Sequence, residues 1–174
     1  EMVEWTGTAQ GLRCSTLQEY GFEDETAALR GWTSLGSGMW QWSGNLGIGY
    51  ISRHCALSEE TGNYLVSPMM PLGGRITFYV KGALGGNPFK GRQRANDFQL
   101  NFKVMVTTEE NPSIVDFRPV PNAEFEASIN GWMRCSIDLS AYSGQEGHVA
   151  IYHCNDGAKG AMNSREVCYL AIDD

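Results

Sequence analysis

Alternation of apolar and polar residues is the strongest local pattern along this chain. In the stretch DFQLNFKVMV, residues 97–106, apolar side chains alternate with Gln99, Asn101, Lys103 and Met105. A period of two predicts a long β-strand that buries one face and leaves the other face in solvent. The inward residues of this strand are expected to be Phe98, Leu100, Phe102, Val104 and Val106.

Four further stretches have the character of strands. The stretches RITFYVK, residues 75–81, and WMRCSIDLS, residues 132–140, alternate in the same way. Their expected inward residues are Ile76, Phe78 and Val80 in the first, and Met133, Cys135, Ile137 and Leu139 in the second. The stretches HVAIYHC, residues 148–154, and VCYLAID, residues 167–173, are apolar nearly throughout, as is typical of the central strands of a sandwich.

Turn-forming residues separate these strands. In NYLVSPMMPL, residues 63–72, a short apolar strand meets Ser67-Pro68. Proline cannot donate to a strand ladder, so the strand is predicted either to end there or to lie at the edge of a sheet. A helical period of useful length is absent, although residues 24–31 suffice for one or two helical turns. About nine to eleven strands joined by loops predict an all-β, antiparallel two-sheet sandwich of the jelly-roll type.

Composition supports this fold class and excludes some functions. The 174 residues suit a single domain and include five Trp, seven Tyr, seven Phe and 21 Gly. The net charge of -7 argues against a general nucleic-acid binder. The sequence has no run of 18 apolar residues that would span a membrane. The five cysteines have no CxxC spacing, which weakens both a zinc site and a thioredoxin-type motif.

The order of motifs resembles the choice-of-anchor J family, also called cleaved-adhesin domains, which are related to MAM-type and galactose-binding jelly rolls. The motifs are Phe22-Glu23 ahead of Gly31-Trp32, then LVSP at 65–68, DLSAYSG at 138–144, and a closing Ile-Asp-Asp at 172–174. The resemblance covers roughly residues 20–174. It implies a non-catalytic module of a secreted or surface protein, of the kind found in Bacteroidetes-like bacteria.

From this resemblance we expect an extracellular, cell-surface binding or adhesion module that recognises carbohydrate, a glycoconjugate or a cell-surface glycoprotein. Residues 1–174 are expected to form one domain cut from a larger protein, with neighbouring domains of that protein as further partners. The alternative is a structural spacer that stabilises or presents a neighbouring domain. A hydrolase is a third possibility, although no GxSxG motif or selected pair of carboxylates supports it.

The resemblance also implies a structural calcium site near the chain ends. The acidic residues at the matching positions are Glu23, Asp24 and Asp173, beside the terminal Asp174. Calcium takes six to eight oxygen ligands, which two or three carboxylates and backbone carbonyls can supply. The alternative is that these are solvated carboxylates at strand ends. The three histidines show no HxH or HExxH spacing for a transition metal.

Paired tryptophans are the candidate ligand-binding residues. Trp40 and Trp42 in MWQWSG project to the same face if the segment is extended. Aromatic rings with a few polar groups are typical of small-ligand sites, so we predict that this pair contacts a sugar. The alternative is that both rings pack in the core. A second candidate surface is the basic loop with Lys81, Lys90, Arg92 and Arg94, which would suit an anionic glycan or a neighbouring domain.

Overall fold

The computed structural model describes residues 22, 31–43, 49–50, 54–59, 61–84, 100–128, 131–154 and 168–173. These residues form eleven β-strands and two 3-10 turns, Ile114–Asp116 and Ser140–Tyr142, with no α-helix. The strands are β1 (Thr33–Leu35), β2 (Trp40–Trp42), β3 (Ala56–Ser58), β4 (Asn63–Val66), β5 (Met70–Pro71), β6 (Arg75–Leu84), β7 (Leu100–Thr107), β8 (Arg118–Ala127), β9 (Met133–Asp138), β10 (Glu146–Cys154) and β11 (Cys168–Asp173). No helix in this part of the chain is long and apolar enough to cross a membrane.

The strands form two antiparallel sheets. The six-stranded sheet has the order β1-β4-β10-β7-β8, with β5 also paired to β10, and the five-stranded sheet has the order β2-β3-β11-β6-β9. Most neighbours within a sheet are distant in the chain, so the chain passes repeatedly between the sheets, as in jelly-roll folds. The predicted all-β class and the antiparallel two-sheet architecture are confirmed.

The core lies between the sheets and contains the inward residues predicted from the alternation. Its buried members include Leu100, Phe102, Val104 and Val106 from β7, Phe78 and Val80 from β6, and Cys135 and Ile137 from β9, followed by Leu139. Burying a large apolar side chain contributes about 1.5–3 kcal/mol, so the alternating strands supply much of the driving force for folding. Phe98 lies outside the described residues.

The outer face of β7 differs from the prediction at one position. Met105 was expected on a solvated face, but its side chain is only 8% exposed. It belongs to a second apolar cluster, on the outer side of the six-stranded sheet, with Tyr64, Val66, Ala150 and Phe117. Phe117 comes from the connection between β7 and β8, so this connection covers a surface that alternation alone assigns to water.

The end of β4 at Val66 confirms the predicted stop at Ser67-Pro68. Ser67 still joins β10, because its backbone N–H donates to the Val149 carbonyl at 2.9 Å and its Oγ accepts the Val149 N–H at 3.0 Å. The short strand β5 then pairs with Glu146 and Gly147 of β10. A side chain therefore continues the ladder where the following proline offers no donor.

Several predictions fall outside the described residues. These are most of the helical segment, residues 24–30, and the basic residues Lys90, Arg92 and Arg94. Lys81 lies on β6 and is partly buried.

Candidate functional site

Two rows of side chains cross the outer face of the six-stranded sheet. In each row, direct cross-strand neighbours come in turn from β4, β10, β7 and β8. The first row is Tyr64, Tyr152, Lys103 and Glu124, and the second row is Val66, Ala150, Met105 and Pro119. Leu65, Ile151 and Val104 alternate with these residues and belong to the core between the sheets. Because successive side chains of a strand point to opposite faces, both rows face away from that core.

A bulge in β8 makes one wall of a groove beside these rows. Between the pairs Lys103–Glu124 and Met105–Pro119, β7 has a single residue, whereas β8 has four, residues 120–123. Asn122 in this bulge has a φ of 59°, in the left-handed region that asparagine tolerates better than most residues. Bulges re-aim side chains and are common beside functional sites.

The groove has a volume of about 840 Å³ and is lined by residues 119–124 together with Lys103, Met105 and Tyr152. Ligand sites typically measure roughly 300–1,000 Å³, so the groove is large enough for a small molecule or part of a chain molecule. Its lining combines aromatic, thioether and proline surface with a few polar groups, which is the usual composition of such sites.

The charged and amide side chains in the described groove lining are Lys103, Glu124 and Asn122. The Lys103 Nζ lies 3.6 Å from the Glu124 Oε1, and the two side chains are 21% and 58% exposed. An ion pair this open to water contributes only about 0–1 kcal/mol to stability. The ammonium group donates hydrogen bonds, the carboxylate accepts them, and the amide of Asn122 does both. Hydroxyl groups of a bound molecule would therefore find both kinds of partner.

Aromatic packing holds Tyr152 in place on the groove floor. Its ring stacks on Tyr64, with centroids 4.3 Å apart and an interplanar angle of 18°. Tyr64 also contacts Phe117, at a centroid distance of 5.7 Å. Because these neighbours fix one side of the Tyr152 ring, it offers a rigid and partly exposed surface to a ligand.

The segment that carries Phe117 is itself stabilised by a capping interaction. The Ser113 backbone N–H and hydroxyl both donate to Asp116 Oδ2, at 2.7 and 2.6 Å. These hydrogen bonds from Ser113 are the main reason that the pKa of Asp116 is lowered. They fix the turn that leads Phe117 onto Tyr64.

Solved structures similar to this chain include two cleaved adhesin domains and a module in complex with an oligosaccharide. The K1 cleaved adhesin domain of Lys-gingipain from Porphyromonas gingivalis aligns with a TM-score of 0.54 and 20% identity, over 82% of this chain and 87% of that chain. The K3 cleaved adhesin domain of the same protein aligns with a TM-score of 0.54 and 17% identity, over 91% of this chain and 99% of that chain. TmCBM61 in complex with beta-1,4-galactotriose aligns with a TM-score of 0.50 and 15% identity, over 91% of this chain and 96% of that chain.

The chain has a jelly-roll fold. At these low identities the likeness establishes the architecture alone. No family model matches the chain, and the curated proteins contain no match.

The predicted tryptophan pair lies in the other sheet, and its two rings have different environments. Trp40 and Trp42 share a face of β2, as expected for an extended segment. Trp40 is 1% exposed and belongs to the main core, so core packing, the alternative considered above, describes its position. A ring buried in this way is not available to stack on a sugar, so the predicted sugar contact is corrected for Trp40.

Trp42 is partly buried at the edge of the five-stranded sheet. Its ring stacks on His54 with centroids 4.6 Å apart, and its Nε1–H donates to the Phe22 carbonyl at 3.0 Å. Its ligand contact stays a prediction. The two tryptophans do not form a joint sugar-binding platform.

Of the predicted calcium ligands, only Asp173 lies among the described residues; Glu23 and Asp24 do not. Asp173 ends β11 and is 1% exposed, and its Oδ2 accepts the Tyr50 backbone N–H at 2.6 Å. The described residues contain no cluster of three His, Cys, Asp or Glu side chains suited to a metal. Asp173 alone supplies too few oxygens for calcium, so the fit depends on Glu23 and Asp24.

The residues that line the groove were not singled out from the sequence. Lys103 and Met105 appeared there only as the polar half of an alternating strand, and Tyr152 only as part of an apolar one. The four groups Tyr64, Tyr152, Lys103 and Glu124 become neighbours through strand pairing over long sequence separations. A single sequence contains no local pattern that reports such pairing.

Proposed function

We propose that this chain is a non-catalytic carbohydrate-binding or adhesion module that acts at the cell surface or outside the cell. The observation that carries the proposal is the groove on the outer face of the six-stranded sheet, with Tyr152 on its floor and Lys103, Glu124 and Asn122 at its side. An aromatic ring packs against the C–H face of a sugar, and the polar groups exchange hydrogen bonds with its hydroxyls.

The architecture supports this proposal. Domains of similar fold include adhesin domains and a module whose structure contains beta-1,4-galactotriose. Together with the order of motifs from Phe22 to Asp173, they support membership of the choice-of-anchor J or cleaved-adhesin family. Fold alone does not define function, so the groove residues carry the argument.

The test is a glycan-array screen of the purified domain in calcium buffer, with three single variants. We expect Tyr152→Ala to abolish binding and Tyr152→Phe to retain it, because the phenylalanine keeps the ring. Trp42→Ala serves as the comparison, since Trp42 belongs to the other sheet. Circular dichroism confirms that each variant is folded.

Loss of binding in Tyr152→Ala alone would support the groove. Loss in Trp42→Ala alone would move the site to β2 and contradict the groove proposal. A wild-type domain that binds no glycan would favour the alternative, a spacer that presents a neighbouring domain.

We also propose a structural calcium ion near the end of β11, with Asp173, Glu23 and Asp24 as its protein ligands. Support comes from the position of Asp173, which is buried at the end of β11 and is one of the acidic residues that the resemblance assigns to a calcium site. The bound ion would tie the strand end to the segment before Gly31 and would take no part in a reaction.

A further inference from the structure

The charges that face the groove cancel. Its lining contains one cation, Lys103, and one anion, Glu124, and the two are paired at 3.6 Å. The next outward residue of β8 is Glu126, opposite Asn101 of β7, which adds negative charge beside the groove. Among the described residues, the groove lining therefore carries no net charge, and the neighbouring Glu126 is acidic.

The cationic side chain of β8, Arg118, is held by hydrogen bonds outside the groove. Arg118 begins the strand, and its guanidinium donates to the Val115 and Phe117 carbonyls at 2.7 and 3.1 Å. These bonds hold it against the turn before β8. The whole chain carries a net charge of -7, so its long-range field also repels anions.

The groups that remain for recognition suit an uncharged ligand rich in hydroxyls. Lys103 donates, Glu124 accepts, and Asn122 does both, while Tyr152 and Met105 supply apolar surface. A carboxylate or sulfate on the ligand would have to displace Glu124 from Lys103 or lie beside the Glu124 carboxylate. Repulsion between a ligand anion and a carboxylate of the site lowers the affinity for that ligand.

We propose that the groove selects neutral glycans and rejects their sulfated, sialylated or uronic counterparts, and that Glu124 is the residue that determines this choice. The inference rests on the carbohydrate-binding function proposed above. It assigns Lys103 to hydrogen bonding with hydroxyls, and it assigns Glu124 both to accepting hydrogen bonds and to excluding anions.

The experiment compares matched pairs of immobilised glycans that differ only in a sulfate or sialic acid. We expect the wild-type domain to bind the neutral member about tenfold more tightly. Its affinity for that member should change by less than about twofold between 0.05 and 0.5 M salt, since no net charge is neutralised. The Glu124→Gln variant should reduce the preference to about threefold or less.

The control is Glu109→Gln, which changes the net charge equally at an exposed residue outside the groove lining. It should leave the preference unchanged. Equal effects of Glu124→Gln and Glu109→Gln would overturn the role of Glu124.

Two further outcomes separate this inference from the function on which it rests. Tighter binding of the anionic member, lost in Tyr152→Ala, would overturn the neutral selectivity and leave carbohydrate binding in the groove intact. Absence of binding to both members would overturn the proposed function together with the selectivity.

Discussion

The imidazole Nδ1 of His153 lies 3.0 Å from the hydroxyl oxygen of Ser58, and this hydrogen bond joins the two sheets. His153 belongs to β10 of the six-stranded sheet and Ser58 to β3 of the five-stranded sheet, and both are fully buried. Asn63 extends the network, with its Nδ2 3.4 Å from the Ser58 hydroxyl and its Oδ1 accepting the Gly38 N–H at 2.7 Å. Buried hydrogen bonds require a defined distance and angle between their partners, so this network favours one relative placement of the sheets.

Replacing Ser58 by alanine removes the hydroxyl from the centre of this network. We expect the free energy of unfolding to fall by about 1–3 kcal/mol, because buried donors and acceptors lose a partner. Urea denaturation followed by tryptophan fluorescence measures the change. The control is Thr77→Ala, whose hydroxyl makes an exposed 3.5 Å contact with Ser136 and should cost about 0.5 kcal/mol or less. Similar losses in both variants would contradict a stabilising role for the network.

Replacing Trp40 is expected to lower the stability of the fold and not to remove a ligand contact. Trp40→Ala removes a core ring that is 1% exposed and should cost about 3–5 kcal/mol. Trp40→Phe should cost less, because phenylalanine refills part of the space and removes an indole Nε1–H that has no hydrogen-bond partner among the described residues. Thermal and urea melts test both variants. A folded Trp40→Phe domain that lost glycan binding would argue for direct contact after all.

Gly147 occupies a position in β10 where a side chain does not fit. A Cβ at this residue would overlap the Thr107 carbonyl oxygen and would lie 3.0 Å from a Leu72 methyl group. We expect Gly147→Ala to lower the free energy of unfolding by about 1–3 kcal/mol through overpacking and a shift of the β10–β7 pairing. Gly131→Ala is the matched control, since a Cβ there meets no atom within 4 Å. Equal stability of the two variants would show that β10 adjusts without cost.

Calcium, if bound as proposed, stabilises the folded chain by mass action. Removing it with a chelator should lower the melting temperature by several degrees, since a ligand of the folded state alone contributes about 2.7 kcal/mol at a hundredfold excess over its dissociation constant. Asp173→Asn should melt at the same temperature with and without the chelator. Asp138→Asn, at an exposed strand end, should keep the calcium-dependent difference. An unchanged melt of the wild-type domain in chelator would remove calcium from the proposal.

The thiol of Cys135 should make stability depend on alkaline pH. Burial raises the pKa of Cys135 from 9.0 to about 11, so the folded chain holds this proton more strongly than the unfolded chain does. The resulting contribution to stability is complete below pH 9 and is lost as the pH rises through about 11. The stability difference between the wild type and Cys135→Ala should therefore shrink from about pH 9 to about pH 11. Ile137→Val, which changes no titrating group, should show a constant difference.

The positions of Asp173 and of the tryptophan pair show how far local sequence patterns reach. Asp173 was expected at the end of the last strand, and the structure places it there. Trp40 and Trp42 were expected on one face of an extended segment, as they are, but the sequence did not show whether that face pointed to solvent or to the core. Periodicity reports which residues share a face, and the neighbouring strands decide which face is buried.

The sequence by itself indicated the strands β4, β6, β7, β9, β10 and β11. It also gave inward positions such as Phe102, Val80 and Ile137, because alternation is a local property of each segment. Only the tertiary structure decided that Tyr152, Lys103 and Glu124 lie side by side and that a bulge in β8 makes a groove beside them. The order of strands in a sheet depends on contacts between distant segments, whose free energy is distributed over the whole core. The candidate binding surface was therefore not apparent until the strands were paired.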